Sequence, residues 1–245
     1  LDAVNLFDAD VCILTSISRD HTEYLGNKYL SIVKEKLGVL RTGTDLIYSV
    51  RTNYLKDLVK NEYFKSKGGN LKYIDPDLEQ MKDYSNRNLA MASLGVEMLI
   101  GKSRFKDFPK NYNLLGRGYK TKINGKNLTF YNGHNLDGHK EFLNSKKLEN
   151  NSLFIFFGKR PKKEIISIVK LYLSKNNLEI TFCGIDNHFK ILSKSVLDEY
   201  LNNRVNIINV SGSKDFMSLI QKTNKEIIVS GSNFIHSYFL NWGSP

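Results

Sequence analysis

Cysteine, proline and tryptophan are scarce in this sequence, and long apolar runs are missing from it. The 245 residues include two cysteines, four prolines and one tryptophan. Cys12 and Cys183 stand far apart inside apolar segments, which excludes a cysteine-rich zinc site or a disulfide framework and predicts buried thiols in a reducing, cytoplasmic compartment. No segment approaches the ~20 consecutive apolar residues that a membrane-spanning helix needs, so we expect no membrane partner.

Acidic residues are fewer than basic residues in this sequence. Lys and Arg total 36 against 25 Asp and Glu, which gives a formal net charge of +11 at pH 7. This excess favours anionic partners, but the lysines are scattered and no motif interleaves aromatic with basic residues. We therefore expect no nucleic-acid partner. Hydrophobic residues make up 41% of the chain and charged residues 25%, which is typical of globular domains and excludes a disordered chain.

The first half of the chain shows strand and helix patterns in alternation. Residues 9–17 form an unbroken β-branched run that predicts a buried parallel strand. Residues 29–40 have helical apolar spacing, residues 45–50 predict a second strand, and residues 87–100 predict an amphipathic helix that Gly101 ends. For residues 51–84, where turn signals interrupt a mixed and charged stretch, the pattern predicts short strands and loops.

The second half of the chain alternates regularly between strands and helices. Strands are predicted at residues 128–131, 153–157, 179–183, 205–210 and 226–229, with helices at 163–174 and 214–222. Such a βαβ series predicts a mostly parallel sheet covered by helices, and therefore the α/β class. A polar stretch near Gly116 separates the halves, so the sequence predicts two domains, 1–115 and 116–245.

Two motifs that would carry well-known chemistry fail their context tests. Gly101-Lys102-Ser103 resembles the end of a phosphate-binding P-loop, but it ends a helix instead of beginning one, and Val96 stands where the motif needs glycine. His134 and His139 are five residues apart, a spacing that places them on different faces of a helix, which excludes a simple metal pair.

Three other residues are candidates because of where they lie. His21 follows the first strand and His134 follows the strand at 128–131, at the sheet edge where open α/β proteins bind ligands. From position alone, a functional loop at His134 and Asn135 and a plain surface turn are equally good interpretations. Lys36 lies beside the apolar stripe of the helix at 29–40. A partly buried lysine at this position would be a candidate for modification, but extension of the side chain into water is the commoner outcome.

Several blocks of the sequence resemble the folylpolyglutamate synthase and dihydrofolate synthase family of Mur-type amide ligases. Leu1-Asp2-Ala3 resembles the family's Leu-Asp-Ala, Thr15-Ser16-Ile17 with Asp20-His21 resembles its Thr-Ser-Ile and Asp-His, and Glu35-Lys36-Leu37-Gly38 resembles its Glu-Lys-Ala-Gly. His134-Asn135 and Ser230-Gly231-Ser232 continue the resemblance towards the end of the chain.

The resemblance implies a fold, a reaction and a set of site residues. The implied fold is part of a Mur-ligase-type ATPase domain followed by a smaller Rossmann-like α/β domain. The implied reaction uses ATP and Mg²⁺ to join L-glutamate to folate or dihydropteroate through an acyl phosphate, in a monomer. It assigns His21 and a carbamylated Lys36 to the magnesium ion, Asn88 and Arg117 to ATP, Leu1 to the pterin substrate, and His134 to the catalytic cleft.

The sequence also departs from the family pattern. Tyr131 stands where the family has an aspartate that contacts ATP, and Leu136 replaces a proline. The family's P-loop would lie before Leu1, so we expect the chain to be the C-terminal portion of a longer protein and inactive alone. A non-catalytic folate- or nucleotide-binding or regulatory module is the alternative, and a nucleic-acid binder, suggested by charge alone, ranks below both.

Overall fold

The computed structural model describes residues 6–18, 25–26, 28–81, 84–101, 117–123, 125–145, 148–232 and 234–240. The chain separates into two units, Leu1–Lys110 and Asn111–Pro245. None of the helices in these described ranges is long and apolar enough to cross a membrane.

The first unit contains a parallel three-stranded sheet in the order β1-β2-β3. Its strands are β1 (Val11–Leu14), β2 (Asp45–Tyr48) and β3 (Leu71–Tyr73), and its helices are α1 (Tyr29–Leu37), α2 (Asn53–Lys65) and α3 (Tyr84–Ile100). The strand predicted at 9–17 is thus shorter than expected. The helix predicted at 29–40 ends at Leu37, where Gly38 is the C-cap residue.

Side chains alternate across this sheet, as strand geometry requires. Leu46 and Tyr48 face α1 and α2, where they share a core with Ile32 and Val59. Ile13 and Ile47 lie on the opposite face of the sheet, towards α3. Their proximity to α3 is clear at Gly95, where an added Cβ atom would lie 3.2 Å from Ile13 and 3.6 Å from Ile47. The glycine therefore lets α3 pack closely on the sheet.

Helix α2 is an element that the sequence analysis missed, since it predicted only short strands and loops over residues 51–84. The Thr52 hydroxyl accepts a hydrogen bond from the Leu55 amide at 3.2 Å and caps the first turn. Leu55, Val59 and Tyr63 are buried along one face of the helix. A capping residue followed by apolar residues four apart indicates a helix. The charged residues between the apolar positions led the sequence analysis to predict loops instead.

The second unit is a six-stranded sheet in the order β4-β5-β9-β6-β7-β8. The strands are β4 (Arg117–Ile123), β5 (Lys126–Tyr131), β6 (Asn151–Phe156), β7 (Glu179–Gly184), β8 (Ile207–Asn209) and β9 (Glu226–Gly231). All neighbouring pairs are parallel except β4 with β5, which are antiparallel. The α/β class with a mostly parallel sheet is confirmed, and the edge strand β4 is an addition to it.

Helices cover both faces of this sheet. They are α4 (Leu136–Ser145), α5 (Lys162–Leu173), α6 (Lys194–Leu201), α7 (Ser213–Gln221) and α8 (Ile235–Leu240). Phe216 of α7 and Phe239 of α8 pack with Phe130 and Phe156 on one face. On the other face, α4 contributes Phe142, which contacts Tyr131, and α5 contributes Tyr172, which contacts Phe182.

Candidate functional site

The connections that leave the carboxyl ends of β5, β9 and β6 run to opposite faces of the sheet. The connection from β5 to β6 passes over β9, so β9 lies between them. After β5 and β6 the chain continues into α4 and α5 on one face, whereas after β9 it continues into α8 on the other. Such a reversal is the usual ligand-binding position of an open α/β sheet. Three parts of the chain lie at this edge: the loops 132–135 and 157–161, and Ser232 after β9.

Asn135 builds the first turn of α4. Its Oδ1 atom accepts a hydrogen bond from the Gly138 amide at 2.8 Å, and its carbonyl oxygen accepts one from the His139 amide at 3.0 Å. The Leu136 amide donates to Oε1 of Glu164 at 3.3 Å, and Glu164 also pairs with Arg160 at 3.4 Å. Asn135 therefore has a structural function as a helix cap in addition to any contact with a ligand.

Replacing Asn135 by alanine is expected to lower the free energy of unfolding by ~1 kcal/mol, because the Gly138 amide loses its acceptor. Asn135→Asp keeps an oxygen acceptor at the capping position and should be close to wild type in urea denaturation. Equal losses for the two variants would contradict the capping role.

A buried polar pair lies beneath this loop. His139 and Tyr172 are 1% and 0% exposed, and Nδ1 of His139 lies 2.8 Å from the Tyr172 hydroxyl. Burial, with smaller contributions from His134 and Arg160, lowers the pKa of His139 from 6.5 to about 3. Burial raises the pKa of Tyr172. Both groups are therefore neutral at physiological pH.

Ser230 at the end of β9 completes this cluster. Its hydroxyl is fully buried beside Tyr172 without the geometry of a full hydrogen bond, yet it opposes the rise in the pKa of Tyr172. The backbone of Gly133 crosses the cluster so closely that a side chain there would lie 3.2 Å from Nδ1 of His139 and 3.4 Å from Oγ of Ser230.

Three of the residues assigned by resemblance lie at this edge of the sheet. Arg117 begins β4 opposite Tyr131, the last residue of β5, and His134 follows three residues later. Of the Arg117 side chain the structure describes nothing. Tyr131 is 6% exposed, and its ring centroid is 4.8 Å from that of Phe142. The ring that replaces the family's aspartate is thus part of the core.

The other assigned residues belong to the first unit. Leu1 and His21 lie outside the described residues. Asn88 is half-buried near the beginning of α3. Lys36 is in the last turn of α1 and is exposed, so its side chain extends into water, the commoner of the two outcomes considered from the sequence. It shares the helix face of Ile32 and Val33, but its long side chain carries the ammonium group into water.

The described residues supply only part of the magnesium site that the resemblance implies. In those ranges, no three His, Cys, Asp or Glu side chains come together as a potential metal cluster. Lys36 carries a positive charge at the carboxyl end of α1, which the helix dipole favours. A carbamate on Lys36 would be negatively charged and would be destabilised by the same dipole. A carbamylated Lys36 is therefore compatible with this position only if a bound metal ion neutralises its charge.

Sequence reasoning missed the roles of His139 and Tyr172, although both carry a signal. His139 precedes the buried residues Phe142 and Leu143 by three and four positions, which places it on the apolar face of α4. Tyr172 continues the buried stripe of α5 that includes Ile165 and Ile168. A polar group on each of two apolar helix faces that cover one sheet suggests a buried hydrogen bond.

The sequence matches a known protein over nearly its whole length. The dihydrofolate synthase/folylpolyglutamate synthase of Buchnera aphidicola subsp. Schizaphis graminum is 25% identical over 268 residues, which is 98% of this chain and 63% of the relative. The chain thus spans less than two thirds of the length of this relative. No family model matches the sequence.

Solved structures of folylpolyglutamate synthases share the fold. The folylpolyglutamate synthase of Mycobacterium tuberculosis, complexed with ADP and AMPPCP, superimposes with a TM-score of 0.76 at 14% identity, over 100% of this chain and 66% of that one. The bifunctional folylpolyglutamate synthase/dihydrofolate synthase of Yersinia pestis, complexed with AMPPNP and a Mn ion, gives a TM-score of 0.71 at 17% identity, over 98% and 62%. The chain is therefore similar in sequence to a dihydrofolate synthase/folylpolyglutamate synthase and shares the fold of solved folylpolyglutamate synthases.

Proposed function

We propose that the chain is part of an ATP-dependent amide ligase that joins L-glutamate to folate or dihydropteroate. The observation that carries the proposal is the match to the Buchnera relative over 98% of the chain. The position of the His134 loop at the reversal point of the second sheet supports it, because this is where such folds bind ligands. Relatives solved with AMPPNP, a Mn ion and L-glutamate support the same substrates.

The proposed reaction has two steps. The carboxylate of the folate or dihydropteroate attacks the γ-phosphorus of ATP, which forms an acyl phosphate and releases ADP. The amine of glutamate then attacks the acyl carbon, and phosphate leaves as the amide forms. Asn88 and Arg117 would hold ATP, Leu1 would contact the pterin ring, and His134 would face the reacting groups.

Cations are needed because both reactants of the first step are anions. We propose that His21 and a carbamylated Lys36 hold the Mg²⁺ ion, which would neutralise the charge of the phosphate and carboxylate oxygens. The exposed Lys36 is open to carbon dioxide. Because the helix dipole opposes an isolated carbamate at this position, modification should depend on the bound cation.

Carbamylation of Lys36 is therefore expected only with Mg²⁺ and bicarbonate together. The measurement is the ¹³C NMR signal of a carbamate after addition of ¹³C-bicarbonate, with Lys34→Ala as the matched control in the same helix turn and Lys36→Ala as the variant that loses the signal. A carbamate signal that persists in Lys36→Ala would remove the residue from the proposed metal site.

The chain matches 63% of its Buchnera relative, so we propose that it requires the remaining part for activity and works as a cytoplasmic monomer once complete. The 245-residue chain alone should release no ADP. Mixed with the N-terminal part of the Buchnera relative, it should release ADP over repeated turnovers only when both glutamate and dihydropteroate or folate are present.

Within that mixture, His134→Ala is expected to lower the rate by ~100-fold if the imidazole faces developing charge. Lys163→Ala, which removes an exposed charge from α5, should leave the rate unchanged. Equal rates for wild type and His134→Ala would remove His134 from the proposed catalytic residues.

A non-catalytic module that binds folate or nucleotide is the second candidate. The observation that favours it is Tyr131, whose ring is packed against Phe142 where the family has a nucleotide-contacting aspartate. This candidate predicts calorimetric binding of MgAMPPNP or folate, with no glutamate-dependent release of ADP in any mixture.

A further inference from the structure

We propose that His139 and Tyr172 are a positioning pair that holds the backbone of the loop 132–135, and therefore the imidazole of His134, in place. The function of the pair in ligation rests on the proposed function, whereas its effect on the loop does not. No role was assigned to either residue by the sequence motifs.

The pair is unusual for its surroundings. Tyr172 packs edge-on against Phe182 at 6.2 Å, and the His139 ring lies 6.5 Å from that of Phe157. An apolar pair of similar volume would satisfy this part of the core without the desolvation cost that two buried polar groups incur. The hydrogen bond between them therefore does something that packing alone does not require.

His139 contacts the loop at two points, one through its backbone and one through its side chain. The His139 amide donates to the carbonyl oxygen of Asn135 at 3.0 Å, and the His139 side chain lies directly under Gly133, where any side chain would come within 3.2 Å of its Nδ1 atom. These points bracket His134. Rotation of the His139 ring would remove the support under Gly133 and free the residue that follows it.

Tyr172 fixes that ring. It belongs to α5, and Glu164 in the first turn of the same helix accepts a hydrogen bond from the Leu136 amide on the other side of the loop. The 2.8 Å contact from Nδ1 to the tyrosine hydroxyl sets the rotation of the imidazole. The loop is thus attached to α5 through His139 and through Glu164, and both attachments are buried or half-buried.

Three variants separate hydrogen bonding from packing. Tyr172→Phe removes only the hydroxyl group. His139→Leu fills the space without a polar atom, whereas His139→Asn leaves more space but places an amide near the position of Nδ1. A packing role favours leucine over asparagine, and a positioning role favours asparagine over leucine.

The readout is hydrogen exchange of a peptide covering residues 131–140, compared with the core strand β6 as a measure of global opening. We expect exchange to be ~10-fold faster in His139→Leu and in Tyr172→Phe, with no further increase in the double variant, and His139→Asn to return towards wild type. Tyr63→Phe, which removes a buried tyrosine hydroxyl from the first unit, should not alter this peptide.

Unchanged exchange in Tyr172→Phe, or slower exchange in His139→Leu than in His139→Asn, would overturn the proposal. In the ligation mixture, His139→Leu should reduce kcat at least ~10-fold with little change in KM for glutamate, and His139→Asn should restore most of it. If wild type shows no ligation, the proposed function fails, and the exchange comparison still decides whether the pair holds the loop.

Discussion

Gly231→Ala is expected to unfold the second unit or leave it with almost no stability. Gly231 is the last residue of β9 and has a φ of +118°, a region that residues with a side chain rarely adopt. It pairs with Phe156 of β6, and a Cβ atom at Gly231 would overlap the Phe156 carbonyl oxygen. That oxygen accepts a hydrogen bond from the Ser232 amide at 2.9 Å, so relieving the overlap breaks the bond that begins the turn into α8.

The expected loss in the free energy of unfolding is at least ~4 kcal/mol, a size that point mutations reach only through such severe backbone or core defects. A folded domain has only ~5–15 kcal/mol of stability in total. The measurement is chemical denaturation followed by amide signals of β6 in the second unit.

Gly125→Ala separates backbone strain from overlap. Gly125 has a φ of +83° in the turn between β4 and β5, with no atom within 4 Å of the position of a Cβ. It should cost only ~1 kcal/mol, from the left-handed conformation alone. Similar losses for the two variants would show that the packing of β9 against β6 tolerates a side chain at Gly231.

The second unit was largely predictable from the sequence because its parallel strands are buried on both faces. Strand β6 is buried at all six positions, and such strands appear as continuous apolar runs. The edge strand β4 was not predicted, since it pairs on one side only and alternates lysines with small and apolar residues. The residue pattern of β4 does not predict a strand, and the antiparallel pairing with β5 stabilises its extended conformation.

The candidate site was predictable only in part, for physical reasons that its residues illustrate. The location of His134 follows from the end of β5, which hydrophobic pattern reveals. The burial of His139 depends on which helix face meets the sheet, and its hydrogen bond requires Tyr172, 33 residues later in the chain. The exposure of Lys36 depends on the path of a flexible side chain, which helical spacing does not determine.

Acid is expected to destabilise the second unit through His139, beginning well above the pH at which carboxylates titrate. The folded protein lowers the pKa of His139 from 6.5 to about 3, mainly by burial. Above pH 6.5 the imidazole is neutral in both states and has no effect. Below pH 6.5 the unfolded chain binds a proton that the folded chain does not, so stability falls by ~1.4 kcal/mol per pH unit until the folded group titrates.

Between pH 6.5 and pH 4.5, this amounts to ~2 kcal/mol, because the unfolded histidine is only half protonated at pH 6.5. Burial also lowers the pKa of His236, which acts in the same direction. The hydrogen bond from Ser152 lowers the pKa of Glu179 from its ordinary value of 4.5, so the stability that Glu179 contributes is lost only at lower pH. The window from pH 6.5 to 4.5 therefore isolates the histidines.

The His139→Leu variant tests this assignment, because it removes the titrating group while His236 remains as an internal reference. Its free energy of unfolding should fall less steeply with acid than that of wild type, by ~1.4 kcal/mol per pH unit within the window, whatever its stability at neutral pH. Urea denaturation at four pH values measures both slopes. Parallel curves would mean that His139 takes up its proton over the same pH range in the folded and unfolded protein, so that burial beside Tyr172 does not lower its pKa.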